Sequence, residues 1–475
     1  MSEAAVRGTQ MAGPLGPVAL SGGLLLLLAS PVMRGGNRHV ALIVLEILGV
    51  AVLAALWARF NLAPARSLSG FARQPLLAPL LMSPLLLAVV QLTPLPAAWW
   101  GAVAGHAVYA EALETLGLQT AGWRPLSVSP DATAASLLAA IPWVAAFLLA
   151  YLASLQQLRV LMRAVVAVAF LEVVLGLLQA SGGQHSPLYF GVMTYGPPVG
   201  TFANRNHFAN YLAMALAGYI WLAYEAAHEA RHSRASRARL PGAFTSRHVL
   251  AIWTSGGLAL VLGILLSRSR GAVLFGLSMA GVALALAAFR LLGLSRGWRF
   301  AAALGTVLVV AGTALVGFDQ ATSRISADQL AGSAAFRGEL ALTSLKGAWA
   351  FWPWGSGWGT YDLAYQQFQP ATLPVYPNHA HHDYVEMLFE GGILFVLIAV
   401  GFVWLAGRRA LLLVRTVLRE RKLDRNAMAA TLCGLGLLGL LLHSLVEFNM
   451  RIPANAILGA LLAGAYLRPL PTGRR

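Results

Sequence analysis

The chain has 475 residues, of which 58% are apolar and only 11% charged. Average soluble domains carry about 25% charged residues, so too little polar surface remains to cover a water-soluble particle of this length. The formal net charge of +16 falls mostly in every second loop between apolar blocks, a pattern that argues for membrane orientation and against a nucleic-acid partner.

The blocks run about 17–23 residues, long enough to cross a hydrocarbon core of about 30 Å as helix. Twelve spans are predicted, at residues 15–33, 39–57, 76–93, 134–155, 160–180, 207–227, 249–267, 271–289, 300–317, 391–407, 428–445 and 453–467. Pro84 and Pro142 lie inside spans and predict kinks, which packed neighbours tolerate. The first block follows Arg7 but has no small-residue cleavage site, and a second block starts near Val40. It is therefore read as a retained helix, not a signal peptide. Cys433, the single cysteine, lies in an apolar block, which rules out an intrachain disulfide and a thiolate metal site of the usual kind.

With the N-terminus in the cytoplasm, 24 of the 34 Lys and Arg residues fall in cytoplasmic segments. The positive-inside rule favours that orientation, and an even span number returns the C-terminus to the same side. Three notable loops then face outward. Residues 94–133 carry Trp99, Trp100 and Trp123, which suit an interfacial aromatic belt. Residues 181–206 are rich in Gly and Pro. Residues 318–390 form the longest, with Trp349, Trp352, Trp354 and Trp358, and are expected to fold over the membrane as a partly helical cap. The expected organisation is membrane helices 1–9 over residues 1–317, the large loop over 318–390, and helices 10–12 with a cytoplasmic C-terminus over 391–475.

Five polar clusters fall on this outward face. Gly200-Thr201-Phe202-Ala203-Asn204-Arg205-Asn206-His207 leads into the sixth span. Ser267-Arg268-Ser269-Arg270-Gly271 joins two spans with almost no loop. Its arginines either snorkel to headgroups or form an anion clamp, since a guanidinium fork matches phosphate oxygens. Phe336-Arg337-Gly338-Glu339 opens a helical stretch, where Arg337 pairs with Glu339 or serves the same clamp. The turn-rich 352–359 stretch lets backbone approach a ligand or packs the cap. Asn378-His379-Ala380-His381-His382-Asp383-Tyr384-Val385-Glu386, with Glu390, is the densest cluster. Helical spacing would put Asp383, Glu386 and Glu390 on one face, where they could orient a histidine suited to proton transfer. Its spacing does not match the H-E-x-x-H metal type. The last cluster, His443-Ser444-Leu445-Val446-Glu447-Phe448-Asn449-Met450-Arg451, is the hinge between the last two spans. Taken alone, this cluster and the 200–207 run are each better explained by packing or interfacial polarity.

Several of these runs resemble the O-antigen ligase and polymerase superfamily. They are the 200–206 run, Ser269-Arg270-Gly271-Ala272, Arg337 ahead of Trp349 and Gly355-Ser356-Gly357, and His379-Ala380-His381-His382-Asp383-Tyr384 with Glu390-Gly391. Order and spacing agree from about residue 200 to 400. The resemblance implies an all-α polytopic membrane protein with about twelve helices, GT-C-like, with a large periplasmic loop. It also implies a bacterial inner-membrane enzyme that takes a glycan from undecaprenyl diphosphate. The acceptor would be lipid A-core or another lipid-linked glycan, with inversion at the anomeric carbon and no metal or other cofactor. Arg270 and Arg337 would bind the diphosphate and His381 would activate the acceptor. Arg268, Arg205, Asn206, His379 and Glu390 would contact substrates. The sequence departs from the family at His382, often Asn, so His379 stays a candidate beside His381. Ligase and polymerase share these motifs. A reading from another class, a transporter or flippase of lipid-linked glycans, would place charge near the midplane; the acids well inside spans are only Glu46 and Glu172.

Overall fold

The computed structural model describes residues 15–62, 74–118, 122–183, 186–191, 196–233, 246–292, 327–373, 376–419 and 424–470. Its principal helices, in chain order, are α1 (Pro17–Ala29), α2 (His39–Leu62), α3 (Leu77–Gln91), α4 (Ala97–Ala102), α5 (Ala107–Thr115), α6 (Pro130–Leu152), α7 (Leu155–Ser181), α8 (Arg205–Ser233) and α9 (Ser246–Leu266). A π turn (Ala272–Leu277) then runs into α10 (Ser278–Leu292), followed by α11 (Ala327–Ala350), α12 (Asp383–Arg419), α13 (Arg425–His443) and α14 (Pro453–Leu467). The only sheet among the described residues is a two-stranded antiparallel ribbon, β1 (Pro94–Pro96) on β2 (Trp123–Pro125). The protein is thus an all-α, multi-pass membrane protein.

Six of these helical segments are long and apolar enough to cross a membrane: α2, α6, α7, α10 with its π turn, α12 and α13. The apolar helices α1, α3, α9 and α14 are shorter. Described helices coincide with every predicted span except 300–317, which lies outside the described residues.

Local signals explain the helix starts. Ser154 and Gln157 form a reciprocal capping box at α7. Asp424 accepts the Asn426 N–H at α13, and Asn204 accepts the Asn206 N–H (2.8 Å) at α8. α8 is the central helix, packed against α7, α9, α10, α13 and α14. Small residues let backbones approach: a Cβ on Gly276 would meet Ala213 at 2.5 Å, and one on Gly436 would meet Ala217 at 2.7 Å. Such contacts, with buried Trp221, Tyr211 and Phe208, hold helices together in lipid, where apolar burial alone gives little drive.

The two ends of the bundle differ in chemistry. At one end, arginines bind acids and terminal carbonyls. Arg159 and Arg425 both pair with Glu225 and Glu229. Arg409 donates to the carbonyls of Tyr466 (2.8 Å) and Arg468 (2.7 Å), and Arg468 donates to that of Ala153 (2.8 Å). All of these arginines belong to segments that the charge count assigns to the cytoplasm. The opposite end carries the hinge between α13 and α14, the start of α8, the turn after α9 and a cap.

The cap has its own core: Leu340, Ala348, Phe351, Tyr361, Ala364, Tyr365, Leu373, Ala380 and Phe389. It is fastened to the bundle at a kink in α12, where Gly392 adopts φ 53°. There Ile393 N–H donates to the Pro353 carbonyl (2.8 Å), and Ser356 and Gly357 N–H donate to the carbonyls of Phe389 (3.0 Å) and Glu390 (3.1 Å). Gln91 at the end of α3 donates to the Glu390 carbonyl (2.7 Å) and accepts from the Trp358 N–H (2.8 Å). The glycine-rich 355–359 turn therefore serves packing. A Cβ on Gly392 would sit 2.1 Å from the Pro353 carbonyl oxygen. Gly392→Ala combines that clash with a left-handed backbone, and should lower stability by on the order of 2 kcal/mol or more, read as a drop in thermal unfolding midpoint in detergent.

Candidate active site at one end of the bundle

The site is organised around Glu447, in the hinge between α13 and α14. Its side chain is 1% exposed. Oε1 accepts from His381 Nδ1 (2.7 Å) and from the N–H of Phe448 (3.2 Å), and lies 4.0 Å from His207 Nε2. Oε2 accepts from the Asn206 side-chain amide and lies 3.5 Å from an Arg337 guanidinium nitrogen. Burial alone would raise the carboxyl pKa; the His381 hydrogen bond and the charges of His381, His207 and Arg337 outweigh it and hold the group well below the ordinary 4.5. Glu447 is thus a carboxylate, which only accepts hydrogen bonds. The proton in the His381–Glu447 contact must therefore sit on Nδ1, leaving Nε2 of neutral His381 as the basic nitrogen.

Asn206 links three elements. Its amide donates to Glu447, and its Oδ1 accepts from Ser269 Oγ (2.8 Å). That bond ties the start of α8 to the turn after α9. Within the turn, Ser267 Oγ accepts from the Ser269 N–H (3.1 Å), and Arg268 is forced to φ 55°. Gly271 lies against the ring of His443, where a Cβ would meet Nε2 at 2.3 Å. The π turn begins directly after it, and such turns are frequent at functional sites. The positive charges of Arg270, Arg337 and Arg268 all bear on Arg205. Four arginines from α8, the α9–α10 turn and cap helix α11 therefore share one electrostatic neighbourhood, in which Arg337 lies 3.5 Å from the buried Glu447 carboxylate and Arg205 feels its charge. An anion is the natural counterpart of such a group.

A second network backs the first. Arg451, 13% exposed, pairs with Glu386 (3.0 Å) and Glu390. Burial would lower its pKa, but Glu390 and Glu386 hold it above the usual arginine value. Glu386 also accepts from His379 Nδ1 (2.8 Å) and from the Ala380 N–H (2.8 Å). Burial would lower the His379 pKa, but the charge and hydrogen bond of Glu386 raise it above 6.5. Asp383 accepts the Met450 N–H (2.9 Å). Phe448 lies among three imidazoles: stacked on His379 at 4.2 Å between centroids, and edge-on to His207 at 4.6 Å and His381 at 4.9 Å.

Of the residues singled out by sequence, His381, Arg337, Asn206, Arg205, Arg268 and Arg270 come together. His379 lies beside them, engaged by Glu386. Glu390 is 1% exposed and held by Arg451 and the Tyr361 N–H (3.1 Å), behind the cluster. His382 stands apart: its Nδ1 accepts from the Val385 N–H (3.3 Å), and burial lowers its pKa. Glu447, Phe448, Arg451 and His207 are the participants that sequence reasoning left unassigned. The available signal was a Glu and an Arg four residues apart in a short hinge between apolar helices. Among the described residues, no group of three or more His, Cys, Asp or Glu is placed to hold a metal ion.

Residues 256–400 match the family model described as O-antigen ligase. The match supports kinship with the O-antigen ligase superfamily over that stretch of the chain. It spans the arginine turn, the cap and the histidine cluster. No curated protein matches the chain by sequence.

Because the Glu447 pKa is depressed on folding, its stabilising contribution is fully present above 4.5 and is lost progressively as pH falls below it. Glu447→Gln should cost about 1–3 kcal/mol near neutrality. It should also flatten that acid limb relative to wild type, measured by thermal unfolding across pH 3 to 7; parallel acid limbs would contradict this account.

Proposed function

We propose that this O-antigen ligase family protein transfers a glycan from a polyprenyl diphosphate carrier to an acceptor hydroxyl at the outward face of a bacterial inner membrane. The observation that carries the reading is the His381–Glu447 pair standing beside four gathered arginines. The acceptor hydroxyl gives its proton to His381 Nε2 as its oxygen bonds to the anomeric carbon. The carbon–oxygen bond to the diphosphate breaks on the opposite side, with inversion, and the electron pair leaves on the diphosphate. Arg270 and Arg337, with Arg205 and Arg268, face that growing charge. Donors preorganised for it are worth roughly 3–4 kcal/mol each. Glu447 keeps the imidazole in the right tautomer and stabilises the imidazolium that forms.

The membrane placement follows the positive-inside reading of the arginine-capped end, with both termini cytoplasmic, a twelve-span GT-C-like bundle and residues 318–390 as the periplasmic cap. The donor is undecaprenyl-diphosphate glycan, and the acceptor is lipid A-core or a growing lipid-linked polysaccharide. The transporter reading loses support at Glu172, whose carboxylate is occupied by the Thr201 N–H (2.8 Å) and hydroxyl (2.7 Å). That acid braces the 199–201 turn.

The test is transfer in liposomes from a lipid-diphosphate oligosaccharide, with lipid A-core and a second lipid-linked glycan both offered. His381→Ala should lower turnover by about 10²–10⁴-fold, and Arg270→Ala or Arg337→Ala by about 10²–10³-fold. Lys346→Ala, exposed on α11, should leave it unchanged, as should excess EDTA. Full activity in the His381 and Arg270 variants would overturn the reading. Product size separates ligase from polymerase.

A further inference from the structure

His207 belongs to none of the roles above, yet its placement is unusual. It sits in the first turn of α8, 3% exposed, and its Nε2 has no hydrogen-bond partner. A buried, unpaired imidazole nitrogen is costly and calls for an explanation. It points at the same oxygen, Glu447 Oε1, that His381 Nδ1 occupies, from 4.0 Å. Two anchors fix it there. Asn455 of α14 donates to the His207 carbonyl (3.2 Å), and the ring lies edge-on to Phe448 at 4.6 Å. The charged and titratable groups that bear on it are Glu447, His443, His379 and His381; Arg337 reaches Glu447 from the cap.

We infer that His207 is a positioning residue, which acts on His381 through Glu447 by donating from Nε2–H to Oε1 when the site loads. An anionic oxygen repels an imidazole lone pair and attracts its N–H, so the carboxylate selects the tautomer with the proton on Nε2. A gap of 4.0 Å is too long for a hydrogen bond, and contacts of this kind tighten when substrate is bound. In the resting protein Oε1 holds His381 alone from across the hinge. In the loaded site it is held from both sides, and the carboxylate cannot swing away as His381 becomes cationic. Removing the donor leaves Glu447 more basic and strengthens its attraction for protonated His381, so the imidazole should become easier to protonate.

This inference rests on the proposed transfer reaction for its catalytic consequence, but its physical core is testable without turnover. The protein is labelled with ¹⁵N-histidine, placed in nanodiscs, loaded with saturating inorganic diphosphate and titrated by NMR, with His381→Asn identifying the His381 resonance. His207→Phe should raise the His381 titration midpoint by about half a unit. His207→Gln, which keeps an amide donor, should restore it. An unchanged midpoint in both variants overturns the inference, as does an equal displacement in both. Wild type supplies a second reading that does not depend on the variants folding. Addition of inorganic diphosphate should move the His207 Nε2–H proton downfield, and no movement also overturns it. In the transfer assay, His207→Phe should lower kcat about tenfold with donor KM unchanged, and His207→Gln should recover most of it. Activity that survives His381→Ala sinks the proposed reaction and leaves the NMR result to judge His207 separately.

Discussion

A single buried carboxylate holds this end of the molecule together. Glu447 is reached by α8 through Asn206, by the segment ahead of α12 through His381, and by the cap through Arg337. A carboxylate taken out of water without such partners costs several kcal/mol. The same shortage of water that makes it costly makes each contact strong and directional. Elements separated by up to 241 residues in sequence are thereby brought to one point with defined geometry. Without the acid, Arg337 would lose its nearest carboxylate and Asn206 its acceptor.

The scaffold behind that point is divided between two materials. The bundle relies on small residues and close backbone approach, as lipid-embedded helices must. The cap relies on an aromatic cluster of its own, with Tyr361 stacked on Tyr365 and Phe351 and Phe389 in contact. The two meet at the Gly392 kink and at Gln91, where the bonds run mainly through backbone carbonyls and N–H groups. Arg337 stands on the cap, whereas Arg205, Arg268 and Arg270 stand on the bundle, so the arginine group is complete only when the two are joined.

Much of this was legible in the sequence, for identifiable reasons. Spans show as apolar blocks because lipid demands roughly twenty apolar residues per crossing. The arginines of the non-site end show in the loop charges. His381, Arg270 and Arg337 could be singled out because short runs such as Ser269-Arg270-Gly271 carry local pattern. Glu447 was not assigned, because its role depends on a partner 66 residues away and its hinge has no distinctive spacing. Glu390 was singled out by helical spacing and by the resemblance. Its burial against Arg451 is a tertiary fact that periodicity does not encode. His207 was visible only as the tail of a motif, since the value of an unpaired nitrogen appears when its surroundings are known.

Two of the gathered residues occupy backbone that folding would rather give to glycine. Arg268 and His381 both have left-handed torsions, φ 55° and 49°, and each such residue stores strain of order 1–3 kcal/mol. A search for stabilising substitutions would nominate these two positions early. Each success there would remove a guanidinium or an imidazole from the cluster. Robustness and reactivity are set against each other in the same pair of torsions, so a hardened version of this protein is best sought far from this end of the bundle.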